Sequence, residues 1–114
     1  MEERAVERGV LHVTSRPKSP ETEDEYNTWY DEVHMPEICA LPGFTGGRRF
    51  APVQDDGPYV ALYSIEGPDL EAVMGGLLQA SQSGELTMAD VLETTPAPQM
   101  RLLRLTAEHD PDRD

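Results

Sequence analysis

The sequence predicts an α+β domain: a four-stranded antiparallel sheet carrying two helices on one face. Three observations lead there. Two stretches have apolar residues at helical spacing, Tyr26, Trp29, Tyr30 and Val33 in one and Leu70, Val73, Met74, Leu77 and Leu78 in the other. Four stretches rich in β-branched and aromatic residues surround them, closed by proline and glycine turns. The resulting order is strand, helix, strand, strand, helix, strand, and a chain of 114 residues has room for one such domain.

Residues 1–8 are polar and unpatterned and are expected to form a loose arm, leaving residues 9–107 as the domain and 108–114 as a polar tail. The first strand spans Gly9 to Ser15 and ends at Arg16 and Pro17. By alternation, Val10, His12 and Thr14 share one face, while Leu11, Val13 and Ser15 share the other. A helix start follows: Ser19 or Thr22 offers a cap, Pro20 suits the first turn, and Glu21, Glu23, Asp24 and Glu25 suit the positive end of the helix dipole.

The stretch from Glu25 to Phe44 dominates the chain. Pro36 has no N–H and pushes Met35 away from helical geometry, which predicts a helix ending near His34 and a short second turn from Pro36 to Leu41. Residues advance about 100° each, so His34 lies roughly 40° from Tyr30, on the flank of the apolar stripe where a polar group can border a cavity. A helix C-terminus favours the imidazolium and burial favours the neutral ring, so its charge is not decided by sequence.

Leu41, Pro42 and Gly43 turn the chain into a second strand, Phe44 to Val53, with a bulge or close backbone approach expected at Gly46 and Gly47. A turn at Asp55 to Pro58 joins it in a hairpin to a third, buried strand, Tyr59 to Ile65. The second helix begins near Asp69 and ends near Gly84. Residues 85–98 are ambiguous, with a short helical piece around Met88 to Leu92 before a proline-rich connection, and the last strand runs from Gln99 to Thr106. This order fits the split βαβ, ferredoxin-like βαββαβ arrangement. Its second sheet face has no element to cover it, which predicts a homodimer packed sheet to sheet.

Composition narrows the partners. Nine Lys and Arg against 22 Asp and Glu give a net charge of -13, which argues against nucleic acid and anionic membrane surfaces. One cysteine, Cys39, excludes an internal disulfide and a cysteine-rich zinc site and fits a reducing cytoplasm. Neither a signal peptide nor a membrane-spanning run of about 18 to 20 apolar residues is present, so the chain is expected to be soluble and cytoplasmic.

Residues Asn27 to Glu37, followed by Leu41 to Phe44 and by Arg48, Arg49 and Phe50, resemble the dimeric α/β-barrel superfamily and within it the EthD-like proteins, which pair a Trp-Tyr-Asp-x-x-His-x-Pro helix with a Pro-Gly-Phe strand entry. The resemblance implies two sheets facing each other in a dimer and an apolar cavity between sheet and helices in each protomer. Its relatives include cofactor-free monooxygenases of aromatic polyketides, polyketide cyclases, lactone isomerases, haem-degrading enzymes and proteins without an assigned reaction; fold alone does not choose among them.

His34 is the leading candidate for general acid or base, with Tyr30 one turn earlier and Asp31 and Glu37 three residues to either side; the plainer alternative is a helix-end histidine holding the kink before Pro36. His12 is a second candidate that faces either the same cavity or the dimer interface. Tyr26, Trp29 and Tyr30 are able to stack on an aromatic ligand, although core is the commoner role and is favoured for Trp29. Tyr59 and Tyr63 share a strand face and their hydroxyls need partners if buried. Of Arg48 and Arg49, at most one faces the cavity, where Arg49 is the candidate to bind an anionic or enolate ligand; a surface ion pair is the simpler role in so acidic a chain. No metal-ligand spacing is present, no cofactor is expected, and haem ligation by His34 has no motif behind it. Cys39 reads as a small buried residue rather than a nucleophile. The expected function is a small enzyme that binds an apolar or aromatic carbonyl compound and moves a proton with His34 and a tyrosine. The alternative is a non-catalytic dimer that binds a hydrophobic small molecule or acts as an accessory subunit.

Overall fold

The computed structural model describes residues 6–111. Four strands, β1 (Glu7–Ser15), β2 (Phe44–Phe50), β3 (Tyr59–Gly67) and β4 (Gln99–Arg104), form one antiparallel sheet in the order β2-β3-β1-β4. The helical elements are α1 (Glu23–Trp29), a π turn (Tyr30–His34), α2 (Met35–Cys39) and α3 (Leu70–Ser83). Chain order and strand order are compatible with the ferredoxin-like arrangement.

Alternation decides which face is buried. Leu11, Val13 and Ser15 of β1 lie opposite Tyr63, Ala61 and Tyr59 of β3, and apart from the half-buried Tyr59 all of them are buried beneath the helices. Val10, His12 and Thr14, with Val60, Leu62 and Ser64, occupy the other face and are only half-buried. β1 begins at Glu7, two residues before the expected start, because Glu7 and Arg8 pair with Gly67 and Glu66. Of the expected N-terminal arm, residues 1–5 lie outside the described residues, as do 112–114 of the expected tail.

The first helical segment departs from expectation. It does not end at His34: Tyr30, His34 and Met35 all keep right-handed helical dihedrals, and α1, the π turn and α2 form one continuous rod. The Met35 N–H reaches back five residues to the Tyr30 carbonyl. Such a widened turn accommodates Pro36, whose ring would otherwise crowd the carbonyl four residues before it, without breaking the helix. At its start, neither Ser19 nor Thr22 caps through its side chain; their hydroxyls bond each other at 2.5 Å instead, after a 3₁₀ turn at Pro20–Thr22.

Two glycines set the approach of helix to sheet. Gly43 has φ 89° and leaves no room for a Cβ, which would lie 2.6 Å from Val73 Cγ2. At Gly47 a Cβ would stand 3.1 Å from Met35 Sδ, so α2 packs closely over β2. A register shift falls between Phe44 and Gly46, one residue before the glycine pair where a bulge was expected.

α3 is capped at its N-terminus by the Asp69 carboxylate, which accepts from the Glu71 N–H, and stops at Gly84 with φ 81°. The expected helical piece around Met88 to Leu92 is absent. Asp90 and Val91 form a turn, and residues 91–93 run beside residues 16–18: Lys18 N–H donates to the Val91 carbonyl at 2.8 Å and Glu93 N–H to the Arg16 carbonyl at 2.9 Å. Val91 is thereby buried to 1% exposure, a contribution of roughly 1.5 to 3 kcal/mol for an aliphatic side chain. Pairing with the end of β1 satisfies the backbone groups that a helix would have satisfied internally.

Candidate functional site

A cavity of about 220 Å³ lies between sheet and helices. Its floor is Leu11, Val13 and Ser15 of β1, Tyr63 of β3 and Met100 of β4; Tyr30, His34 and Ile38 form one wall and Leu77, Leu78 and Ser81 of α3 another. Leu86, Met88, Leu92 and Pro98 close it from the loop after α3. Leu78, Met88 and Met100 are each more than 40% exposed, so the cavity opens through an apolar mouth. No Lys, Arg, Asp or Glu lines it. Apart from Ser81 on α3, its polar groups, Ser15, Tyr30, His34 and Tyr63, come from the first helical rod, β1 and β3.

His34 stacks on Trp29 with ring centroids 4.4 Å apart and stands edge-on to Tyr30 at 5.1 Å. Burial pushes its pKa down to about 4, against the weaker opposing pull of Glu37, so the ring is neutral near pH 7. Neither flanking carboxylate orients it. Asp31 pairs with Arg49 at 2.7 Å, and Glu37 accepts two bonds from Thr87. The buried His34 Nδ1 has no hydrogen-bond partner among the described residues.

Tyr63 is fully buried; its hydroxyl makes no hydrogen bond of good geometry among the described residues, and the hydroxyl it interacts with is that of Tyr30. Burial drives the Tyr63 hydroxyl far above the ordinary phenol range, with Tyr30 adding to the effect. Burial also raises Tyr30, partly offset by Tyr63. Both phenols are therefore protonated donors at neutral pH.

The structure brings His34, Tyr30 and Tyr63 together and sends the other candidates elsewhere. His12 lies on the opposite sheet face, across from Leu62 and Arg101, and cannot reach this cavity. Tyr26 is buried beside it with its hydroxyl bonded to Ser15 Oγ at 2.6 Å. Trp29 is core, its Nε1–H donating to the Thr87 carbonyl at 3.0 Å. Tyr59 points away, donating to the Glu23 carboxylate at 2.5 Å. Arg49 turns to the helix side of the sheet without lining the cavity: its guanidinium lies 4.4 to 5.3 Å from the ring centres of Tyr30, Tyr59 and Tyr26 and bonds Asp31 and Asn27. Arg48 is exposed on the other face.

Ser15, Ser81 and the loop residues Leu86, Met88 and Pro98 are lining residues that sequence reasoning missed. Ser15 alone left a signal, since it shares the Leu11 and Val13 face. Cys39 is half-buried at the end of α2, and burial raises its thiol pKa, so it is no activated nucleophile. Among the described residues, no three His, Cys, Asp or Glu side chains converge to hold a metal, and no helix is long and apolar enough to cross a membrane.

Fold and site together define an α+β domain with a small, uncharged cavity that carries one neutral imidazole and two phenols. Comparison with protein-family models, curated proteins and solved structures finds no match.

Proposed function

We propose that this protein is a small enzyme that binds an apolar or aromatic carbonyl compound in the cavity and uses His34 to move a proton from the carbon beside the carbonyl. The observation that carries this reading is a neutral imidazole bordering an apolar cavity with a buried nitrogen that nothing else engages. In the step, the C–H bond breaks, its electron pair passes to the carbonyl oxygen as an enolate, and the proton goes to the imidazole. In this reading the protonated Tyr30, whose ring stands beside the imidazole, donates to the developing oxyanion. A base with a pKa near 4 is weak, so the reaction depends on the enolate remaining against the imidazolium and raising its pKa as the pair forms. Oxygenation, cyclisation and isomerisation all start with this step, and none of the residues invoked needs a cofactor.

Size narrows the ligand. An apolar cavity of about 150 Å³ is enough for benzene, so about 220 Å³ suits one substituted ring or two small fused ones. The half-buried outer sheet face, with Val10, Val60, Leu62 and Leu103, supports the homodimer reading, as does the resemblance of residues 25–50 to the dimeric α/β-barrel superfamily.

One observation favours a second reading, in which the chain binds its ligand without catalysis: Asp31 and Glu37 are both engaged elsewhere, so no carboxylate tunes the imidazole. Hydrogen–deuterium exchange at the α-carbon of phenylacetone in D₂O, followed by NMR, separates the two. The enzyme reading expects exchange above the buffer rate that falls by about 10²- to 10⁴-fold in His34→Ala. Exchange that is equal in the wild type and the variant leaves only the binding reading.

A further inference from the structure

We infer that the cavity selects neutral carbonyl compounds against carboxylates, and that Tyr63 is the residue that reads the ligand oxygen. This rests on the cavity being the ligand site, as proposed above, and it names the chemical class that site accepts.

The argument begins with charge. None of the residues that line the cavity carries a formal charge while His34 is neutral. Arg49 does not line the cavity, and its guanidinium is committed to Asp31 at 2.7 Å, to Asn27 at 2.9 Å and to the rings of Tyr26, Tyr30 and Tyr59. A carboxylate entering would shed its hydration without meeting a cation, a cost that apolar sites do not repay. The chain's net charge of -13 opposes anions further.

A carbonyl oxygen fares differently. It needs a single donor, and Tyr63 supplies one: the residue lines the cavity floor, and its hydroxyl, which makes no hydrogen bond of good geometry among the described residues, is shared only with the neighbouring hydroxyl of Tyr30. Burying a hydroxyl without a hydrogen bond is itself unfavourable, and a bound ketone relieves it. Tyr26, by contrast, is satisfied by Ser15, so of these two buried phenols only Tyr63 is left to receive a ligand. Apart from Ser15, Tyr30, His34 and Ser81, the remaining walls are aliphatic or thioether, which suits the hydrocarbon part of the same molecule.

Met88 and Met100 at the mouth provide a direct readout, with Met35 and Met74 as internal controls away from the lining. The full chain labelled with ¹³C-methyl methionine is titrated at pH 7 with phenylacetone, with phenylacetate, and with methallylbenzene, in which =CH₂ replaces the ketone oxygen. Phenylacetone should shift the Met88 and Met100 methyls with an affinity at least about tenfold above that of phenylacetate. In Tyr63→Phe the ketone should weaken by about tenfold while methallylbenzene stays within about twofold. Phenylacetate binding as tightly as phenylacetone in the wild type overturns the inference even if Tyr63→Phe does not fold. An unchanged ketone affinity in the folded variant overturns the role of Tyr63 and leaves the ligand site standing. Absence of any Met88 or Met100 shift with either neutral probe overturns the ligand site and this inference together.

Discussion

Glu37 grips Thr87 with both carboxylate oxygens, one accepting from the backbone N–H and the other from the hydroxyl, each at 2.7 Å. Trp29 holds the same residue from the other side through its carbonyl. Thr87 is thus tied to the helical rod on both flanks of His34, and its chain neighbours Leu86 and Met88 close the cavity. Thr87→Val removes one of the two carboxylate bonds. It should speed amide exchange of residues 86–92 several-fold and shorten the residence of phenylacetone, with the exchange of β1 and β3 unchanged.

The same grip is sensitive to acid. Hydrogen bonds from Thr87 hold the Glu37 carboxyl below its ordinary value. A group whose folded pKa is depressed contributes stability that is complete above the unfolded pKa and is lost as pH falls through the folded one. In a His34→Phe background, where the histidine does not titrate, exchange of residues 86–92 should therefore be insensitive to pH above the usual carboxylate range, after correction for intrinsic rates, and accelerate below it. With Glu37→Gln added, the acid dependence should disappear.

His34 adds a second, separate window. Its pKa falls from 6.5 unfolded to about 4 folded, so between those values the unfolded chain binds more protons and stability declines as pH is lowered from about 6.5 to about 4. Allowing for the ring's residual exposure, the loss is on the order of 2 kcal/mol. Urea unfolding of the wild type and His34→Phe across this range checks it. A wild-type profile as flat as the variant's would mean that the ring titrates normally.

Arg49 is held more by rings than by charge. Its side chain is 11% exposed and packs against three tyrosines, whereas its partner Asp31 is 59% exposed. Arg49→Met should destabilise the fold by about 1 to 3 kcal/mol, and Asp31→Asn by less than about 1 kcal/mol. Equal losses in urea titrations would assign the effect to the ion pair instead.

The outer sheet face carries the dimer proposal. Leu62 sits near its centre, across from Arg48 and His12. Leu62→Glu should reduce the mass measured by light scattering from twice 12.7 kDa to 12.7 kDa. A wild type that already weighs 12.7 kDa removes the dimer.

Periodicity made most of the architecture legible. The stripe of Tyr26, Trp29 and Tyr30 and the alternation of β1 are local patterns, and both ended up buried as expected. His34 was readable because it flanks that stripe. What local pattern cannot show is which long-range partner takes a polar group. Asp31 and Glu37 have the right spacing to serve His34, but Arg49 from β2 and Thr87 from the loop claim them. Residues 85–98 were opaque for a related reason: the part of them that pairs, residues 91–93, does so with residues 16–18, far away in sequence. His12 was undecided between two faces, and only the register with β3 and β4 resolved it.

The π turn at Tyr30–His34 has a consequence for how this chain tolerates insertion and loss. A turn closed five residues back instead of four holds one more residue than an α-helix needs, so its removal costs the backbone little. Residues on either side of the turn would keep their facing, so that Tyr26 and Trp29 before it and Ile38 after it stay packed while only the residues within it re-space. The rod thus absorbs a change of chain length without turning α2 off the sheet, and a one-residue deletion at the exposed Asp31 or Glu32 should leave the protein folded.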